Sequence, residues 1–200
     1  MNNSNDIRNN NNGNKYELSI LNIHGYHGSP ENAAYAALGK QCENITSPSV
    51  DYDAKSPESI ADDLRHIITD RKIDVIVGTS LGGFFAAYLS AEFNLPVILI
   101  NPCLLPFLHL PRLGYDGEIT SFISMFGTLT DLKNDNVCCI VGDADEIIET
   151  NDFTERLCRN DRFRRIPGGK HSGATLPLND YFDEILPYCD EIKKNQGNLI

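Results

Sequence analysis

Residues 78–83 read Gly-Thr-Ser-Leu-Gly-Gly, and with their neighbours they are the strongest indication of the fold. A short apolar run at 73–77 precedes this stretch, and a helical pattern follows it. Together they predict a strand, a sharp turn and a helix, with Ser80 on a strained corner at the carboxyl end of the strand. Glycine is needed at Gly78 and Gly82 because the backbone around such a corner is crowded. A serine held in this way is a candidate nucleophile.

Other roles are open to a Gly-rich turn, and the pattern Gly-x-Ser-x-Gly occurs by chance in many chains of this length. A phosphate-binding loop is one alternative, but it requires Gly-x-x-x-x-Gly-Lys-Ser/Thr, and no lysine follows Gly82 or Gly83. The nucleophile interpretation therefore depends on whether an acid, a base and an oxyanion site are also present.

Candidates for the acid and the base follow two short strand patterns further along the chain. Asp143 and Asp145 come directly after one strand, and His171 lies in a Gly-rich loop after the next. The chain order Ser80, Asp145, His171 is that of the α/β-hydrolases and differs from the orders of chymotrypsin-like and subtilisin-like proteases. His171 is predicted to take the serine proton, and Asp145 to fix the imidazole tautomer. Asp143 is the alternative acid.

An oxyanion site is predicted in the loop that follows the apolar run at 18–23. Two backbone N–H groups are needed there, and the candidates are those of Tyr26 and of Leu81, the residue after the nucleophile. Gly25 would let the loop come close to the substrate carbonyl. His24 is given a positioning role, because a histidine at a strand end beside glycine more often braces a loop than performs chemistry.

A metal site built from His24, His27, Asp143 and Asp145 is conceivable, since imidazole and carboxylate both bind Zn²⁺. The two histidines lack the i, i+4 helical spacing of a zinc-protease motif, and the chain has no Cys-x-x-Cys pair. We therefore expect no metal and no cofactor. Of the six cysteines, at positions 42, 103, 138, 139, 158 and 189, the adjacent Cys138 and Cys139 lie inside a strand pattern, facing opposite sides, and are predicted to be small core residues.

Five pieces of the chain recur together in one known family. They are the His24-Gly25-Tyr26 loop ending in Ser29-Pro30, the Gly-x-Ser80-Leu-Gly-Gly turn, Asn101-Pro102, Asp145-Glu146-Ile147 and Gly168-Gly169-x-His171. From about residue 18 to residue 188 the sequence resembles the YqiA/YcfP-type small esterases, compact bacterial members of the α/β-hydrolase superfamily. The resemblance implies a serine esterase with the site residues placed as above, acting on small acyl esters, with thioesters as a further substrate class. Family members have one aspartate in the acid loop and lack the N-terminal extension.

The chain alternates strand and helix patterns, which predicts a mostly parallel sheet with helices on both faces. We expect an α/β-hydrolase fold in a single domain over residues 16–200. Residues 1–15 are expected to be a disordered tail, because eight of the first fourteen residues are asparagine. Residues 103–132 occupy the place of a cap, which is short here. Its apolar side chains could form a wall for an acyl chain or simply cover the core.

The amino-acid composition limits the expected binding partners and the expected cellular location of the protein. With 28 acidic residues against 17 Lys plus Arg, the formal net charge is −11, so a nucleic-acid partner is not expected. The local exception, Arg162, Arg164 and Arg165, is interpreted as a solvated strand edge in preference to a docking patch. No apolar run is long enough for a membrane span, and no secretory signal pattern is present. The expected location is therefore the cytoplasm, with reduced cysteines. The oligomeric state is left open.

The sequence as a whole predicts a serine esterase that hydrolyses carboxylic esters of small to medium acyl groups through an acyl-enzyme intermediate. Its expected partner is a small-molecule ester. Two alternatives stay open: a thioesterase or amide hydrolase using the same three residues, and a catalytically idle binding module with the hydrolase fold.

Overall fold

One parallel sheet organises the structure, a computed structural model that describes residues 16–158 and 160–197. The predicted tail, 1–15, lies outside the described residues. The strands are β1 (Ile20–Ile23), β2 (Ile45–Thr46), β3 (Val75–Thr79), β4 (Val97–Ile100), β5 (Val137–Gly142) and β6 (Phe163–Ile166). Their order is β2-β1-β3-β4-β5-β6, and every neighbouring pair is parallel.

Helices connect the strands, as parallel pairing requires. They are α1 (Ala33–Leu38), α2 (Pro57–Arg71), α3 (Leu81–Phe93), α4 (Pro106–His109), α5 (Ile119–Phe126), α6 (Asn151–Leu157) and α7 (Leu178–Gly197). Short 3₁₀ turns lie at Leu110–Leu113, Gly127–Asp131, Asn134–Asn136 and Gly173–Thr175. Of the helices in the described ranges, none has the length and apolar character needed to cross a membrane.

Side chains of each strand alternate between two apolar clusters, one on each face of the sheet. Helices α1 and α7 cover one face, and α2, α3 and α6 cover the other. The adjacent cysteines of β5 show the alternation, because Cys138 packs beneath α7 and Cys139 packs on the opposite face. The predicted parallel sheet with helices on both faces is therefore confirmed.

The register brings the carboxyl ends of the strands to one edge of the sheet. Ile23 aligns with Gly78, and Thr79 aligns with Ile100. Strand order also reverses at β1, since its successor β2 lies on one side and β3 on the other. In open α/β sheets, ligands bind outside the carboxyl ends of the strands at such a reversal. The loops after β1 and β3 are thus the expected place for a site.

The cap, residues 103–132, packs on α3 through aromatic rings. The Phe122 ring lies 5.4 Å from that of Phe84 and 6.0 Å from that of Phe85, in edge-on contacts. Leu108 and Ile123, in contrast, are 49% and 54% exposed. The cap therefore buries one apolar face against the core and leaves some of its apolar side chains in solvent.

Two side-chain contacts join the cap to the loop after β5. His109 Nε2 lies 3.0 Å from Thr150 Oγ1, and Arg112 Nη1 lies 3.0 Å from Glu149 Oε2. His109 is buried, and this burial, together with the nearby Arg112 charge, lowers its pKa.

The basic side chains of β6 and the residue before it are engaged by neighbours. Arg164 pairs with Glu184, and Arg165 pairs with acidic side chains of α6. The Arg162 guanidinium lies 4.3 Å from the centre of the Tyr188 ring. Each of these three arginines therefore has a partner within the protein.

Candidate active site

Ser80 occupies the corner between β3 and α3, as the sequence predicts. Its backbone has φ 53° and ψ −121°, a conformation that is strained for a residue with a Cβ atom. Hydrogen bonds hold this strain: the Ser80 N–H donates to the Ile100 carbonyl at 3.0 Å, and the Ser80 carbonyl accepts from the N–H groups of Gly83 and Cys103. The corner is therefore fixed by backbone contacts to α3 and to the chain after β4.

Gly78 and Gly82 lie where a side chain has no space. A Cβ atom on Gly82 would lie 2.3 Å from the Ile23 carbonyl oxygen, and one on Gly78 would lie 2.4 Å from the Gly82 carbonyl oxygen. Both distances are far below van der Waals contact. Glycine at these two positions lets α3 approach β1 and β3 closely, which sets the position of the corner.

The loop after β1 contacts Ser80 directly. A Cβ atom on Gly25 would lie 2.8 Å from the Ser80 Cβ and 3.3 Å from its Oγ. Tyr26 follows Gly25, so its backbone N–H belongs to the segment next to the serine. Leu81 is the first residue of α3, where N–H groups lack a partner within the helix. The two predicted oxyanion donors thus lie on the two segments that meet at Ser80.

The side chain of Tyr26 is half-buried and packs against the apolar core. Its hydroxyl donates to Asp53 Oδ1 at 2.7 Å, and this bond together with the Asp53 charge raises the pKa of Tyr26 to about 12. Its ring stacks on His27 and makes an edge contact with Tyr115 of the cap, at 3.9 and 5.8 Å between centres. The loop and the cap are therefore in contact.

His24 is a buried brace for the loop. The Val50 N–H donates to His24 Nε2 at 2.9 Å, so Nε2 is the unprotonated nitrogen and Nδ1 carries the proton. Nδ1 then donates to the Gly25 carbonyl at 2.8 Å, and the Tyr52 hydroxyl donates to the His24 carbonyl. Both ring nitrogens are occupied, which leaves none for a metal. Within the part of the chain that the structure describes, no group of three His, Cys, Asp or Glu residues could hold a metal ion.

The structure brings Ser80, His171 and Asp145 together in one line of contacts. His171 Nε2 lies 3.1 Å from Ser80 Oγ, and His171 Nδ1 lies 3.0 Å from Asp145 Oδ2. The Asp145 side chain has no exposed surface, and its Oδ1 also accepts from the N–H groups of Ile147 and Ile148. These bonds orient the carboxylate toward the imidazole.

Asp143, the alternative acid, makes a different contact. Its Oδ1 accepts from the Gly168 N–H at 2.6 Å, so it joins the loop after β5 to the loop after β6. Between the two aspartates, Asp145 is the one that contacts the His171 ring.

Two further residues hold the His171 backbone, and neither was predicted to have a role in the site. Glu146 Oε2 accepts from the His171 N–H at 3.2 Å, and backbone bonds of this kind lower the pKa of Glu146. Asn101 contacts the carbonyl of His171 with its carboxamide. Both residues lie in the motifs that carry the resemblance described above, but their type alone does not indicate these bonds.

Residues 19–121, slightly more than half of the chain, match a family described as "Uncharacterised protein family (UPF0227)". The match contains the loop after β1, the Ser80 corner and Asn101-Pro102. The chain belongs to this family. UPF0227 is the YqiA/YcfP family, so the resemblance drawn from the sequence is confirmed.

Solved structures share the fold of this UPF0227 protein. The esterase RhEst1 from Rhodococcus sp. ECU1013 is 12% identical, with a TM-score of 0.55 over 88% of this chain and 92% of that one. A fluorophosphonate-binding serine hydrolase from Staphylococcus aureus is 12% identical, with a TM-score of 0.60 over 94% and 89%. The α/β-hydrolase domain-containing protein 10 from mouse is 16% identical, with a TM-score of 0.56 over 86% and 90%. The fold is therefore that of the α/β-hydrolases.

Proposed function

We propose that this UPF0227 protein is a serine esterase that hydrolyses carboxylic esters of small to medium acyl groups without a cofactor. The observation that carries the proposal is the line of contacts from Ser80 Oγ through the His171 ring to the buried Asp145 carboxylate. A serine hydroxyl becomes an effective nucleophile only when a neutral imidazole can take its proton, and this arrangement supplies that base.

In the acylation step, Ser80 Oγ attacks the carbonyl carbon of the ester while its proton moves to His171 Nε2. Asp145, which contacts Nδ1, keeps the proton of the neutral ring on that nitrogen and stabilises the imidazolium that forms. The tetrahedral intermediate then collapses, the bond from carbon to the leaving oxygen breaks, and His171 Nε2 returns its proton to that oxygen. The alcohol leaves and an acyl group remains on Ser80.

We assign stabilisation of the negative charge on the tetrahedral intermediate to the backbone N–H groups of Tyr26 and Leu81. Gly25 supports this assignment, because a Cβ atom on it would lie 2.8 Å from the Ser80 Cβ, so the loop runs directly beside the serine. Loss of one such donor costs about 3–4 kcal/mol of transition-state stabilisation. His24 acts as a positioning residue, since its ring fixes the Gly25 carbonyl and the backbone of Val50.

Deacylation repeats the same steps with water. His171 Nε2 takes a proton from a water molecule, and the resulting hydroxide attacks the acyl carbon. The bond from carbon to Ser80 Oγ breaks, the proton returns to the serine, and the carboxylic acid leaves.

The size of the cap supports the proposal that the acyl groups of the substrate are small to medium. It is only about thirty residues long, and one of its faces packs tightly on α3 through Phe122. Its contacts with Tyr26 and with the loop after β5 place it beside the site. The printed names of structural neighbours, an esterase and a fluorophosphonate-binding serine hydrolase among them, are consistent with ester hydrolysis.

The proposal is tested with a fluorophosphonate probe and a series of p-nitrophenyl esters from acetyl upward. We expect the probe to label Ser80, hydrolysis to be fastest for short or medium acyl chains, and Ser80→Ala to lose about 10⁶-fold in kcat. Acyl-CoA thioesters and aminoacyl amides complete the series, because the same three residues could act on them. A wild-type protein that neither labels nor hydrolyses any of these compounds would be a binding module instead.

We further propose that residues 16–200 are a single domain that acts in the cytoplasm on a small-molecule ester. The six cysteines are all buried as free thiols, an arrangement suited to a reducing compartment. Cell fractionation with an antibody to the untagged protein would test the location.

A further inference from the structure

Asn101 directly follows β4, and its backbone conformation depends on contacts with the surrounding residues. It is fully buried and has φ 42°, in the left-handed region that few residues other than glycine adopt. Its backbone N–H donates to the Ile140 carbonyl at 2.9 Å. A buried polar residue in a strained conformation destabilises the folded state unless hydrogen bonds satisfy its polar groups.

The carboxamide of Asn101 joins the two loops that carry the proposed acid and base. Its Oδ1 accepts from the N–H of Gly142, the last residue of β5, at 2.8 Å. Its Nδ2 donates to the carbonyl groups of Lys170 and His171, at 2.9 and 2.8 Å. One side chain therefore fixes the strand end three residues before Asp145 and the backbone of His171 itself.

We infer that Asn101 is a positioning residue that holds the His171 ring between Ser80 and Asp145. The inference rests on the proposed function, in which His171 moves the proton. With the carboxamide in place, the His171 carbonyl is fixed by Asn101, its N–H by Glu146 and its ring by Asp145. Loss of the carboxamide frees the His171 carbonyl and leaves the Lys170 carbonyl with only a longer bond from Thr175 Oγ1 at 3.3 Å, so the ring moves away from Ser80 Oγ.

Asparagine is suited to this position for two reasons. Its amide offers two N–H donors and one acceptor in one plane, which matches two carbonyl groups on one side and one N–H on the other. Asparagine also tolerates the left-handed conformation better than most residues. Aspartate has the same shape and a similar tolerance but, when ionised, no donor, so Asn101→Asp removes the two bonds to the His171 loop and sets a charged oxygen against the two carbonyl groups.

The first experiment compares Asn101→Asp with a matched control, Asn136→Asp. Asn136 is also a buried asparagine whose Nδ2 donates to an oxygen, that of Asn94, but it precedes β5 at the opposite edge of the sheet. We expect Asn101→Asp to lower kcat for p-nitrophenyl acetate by about 10²-fold with KM unchanged, because a small displacement of the base affects only the chemical step. Asn136→Asp should leave both constants unchanged. Equal kcat values in the two variants would overturn the inference.

A second measurement separates positioning from general damage to the fold. In a His171→Ala background, Asn101→Asp should cause no further loss of the residual hydrolysis rate, since there is no imidazole left to position. A loss of similar size in both backgrounds would contradict the inference. Asn101→Gly, which accepts the backbone conformation and also lacks the donors, serves in the same comparison if the aspartate variant does not fold.

Proton NMR keeps this inference distinct from the proposed function. The His171 Nδ1 proton, bonded to Asp145, should give a downfield resonance in the wild type that is lost or broadened by exchange in Asn101→Asp and Asn101→Gly. This result does not require an ester substrate. If the wild type shows no labelling and no hydrolysis, the esterase proposal fails; if the resonance is unchanged in both Asn101 variants, the positioning role fails.

Discussion

The carboxyl edge of the sheet and the cap are held together by different kinds of contact. At the sheet edge, backbone meets backbone: a Cβ atom on Gly82 would meet the Ile23 carbonyl at 2.3 Å, and one on Gly142 would meet that of Gly169 at 2.1 Å. In the cap, side chains make the contacts. Phe122 packs on two phenylalanines of α3, and polar side chains such as His109 join the cap to the loop after β5.

This difference indicates which properties of the protein can vary. Backbone contacts depend on glycine and on strand register, and together with the Asn101 carboxamide they hold the segments that carry the proposed nucleophile, acid and base. Side-chain packing tolerates exchange of one apolar residue for another of similar volume. We therefore expect the reaction to depend on the sheet edge, and acyl-chain preference and much of the stability to depend on the cap.

The largest effect is expected at the buried acid. Asp145→Asn keeps the shape of the side chain but favours the wrong imidazole tautomer, so kcat for p-nitrophenyl acetate should fall about 10⁴-fold. Asp143→Asn is the matched variant two residues away, and it removes a bond to Gly168 rather than one to the ring. A larger loss for Asp143→Asn would assign the acid to Asp143.

Next in size is the loss of packing in the cap. Phe122→Ala removes a fully buried ring and should lower the free energy of unfolding by about 3–5 kcal/mol, measured by urea denaturation. The neighbouring Ile123 is 54% exposed, and Ile123→Ala should change stability by no more than about 0.5 kcal/mol. If the two variants were equally stable, the cap would not pack on α3 as described.

A smaller effect is expected where the loop after β1 meets the serine. Gly25→Ala places a methyl group 2.8 Å from the Ser80 Cβ, so the loop must move and kcat should fall about 10²-fold. Gly127→Ala in the cap is the control, because a Cβ atom there has no neighbour within 4 Å. Hydrolysis rates that fall equally in both variants would contradict the distinction between the two regions.

The smallest effect concerns the pH dependence of stability through His109. Its pKa in the folded protein is lowered by burial and by Arg112, against a weaker opposite influence of Glu149 and Asp145. The unfolded chain, with an ordinary histidine pKa of about 6.5, therefore binds more protons, and stability falls as the pH drops below that value. We expect the decrease in Tm between pH 7 and pH 5 to be smaller in His109→Gln than in the wild type. Parallel Tm curves would indicate that His109 does not contribute.

The sequence predicted the sheet edge better than the cap, and the reason is physical. A glycine pattern and the order Ser80, Asp145, His171 reflect local backbone geometry, which short motifs encode. The bonds of Asn101 span 41 residues to Gly142 and 70 to His171, so no local pattern predicts them. In the cap, the spacing of leucine and phenylalanine did not distinguish Phe122, which packs on the core, from Leu108, which is half exposed.

The two edge strands of the sheet affect how the protein behaves at high concentration. One edge strand is β2, which is only two residues long, and the other is β6, where Arg164 and Arg165 are partly exposed and paired with acidic side chains. Short strands and charged side chains oppose the addition of a foreign strand. In the described part of the chain, both edge strands therefore have features that disfavour stacking of further copies.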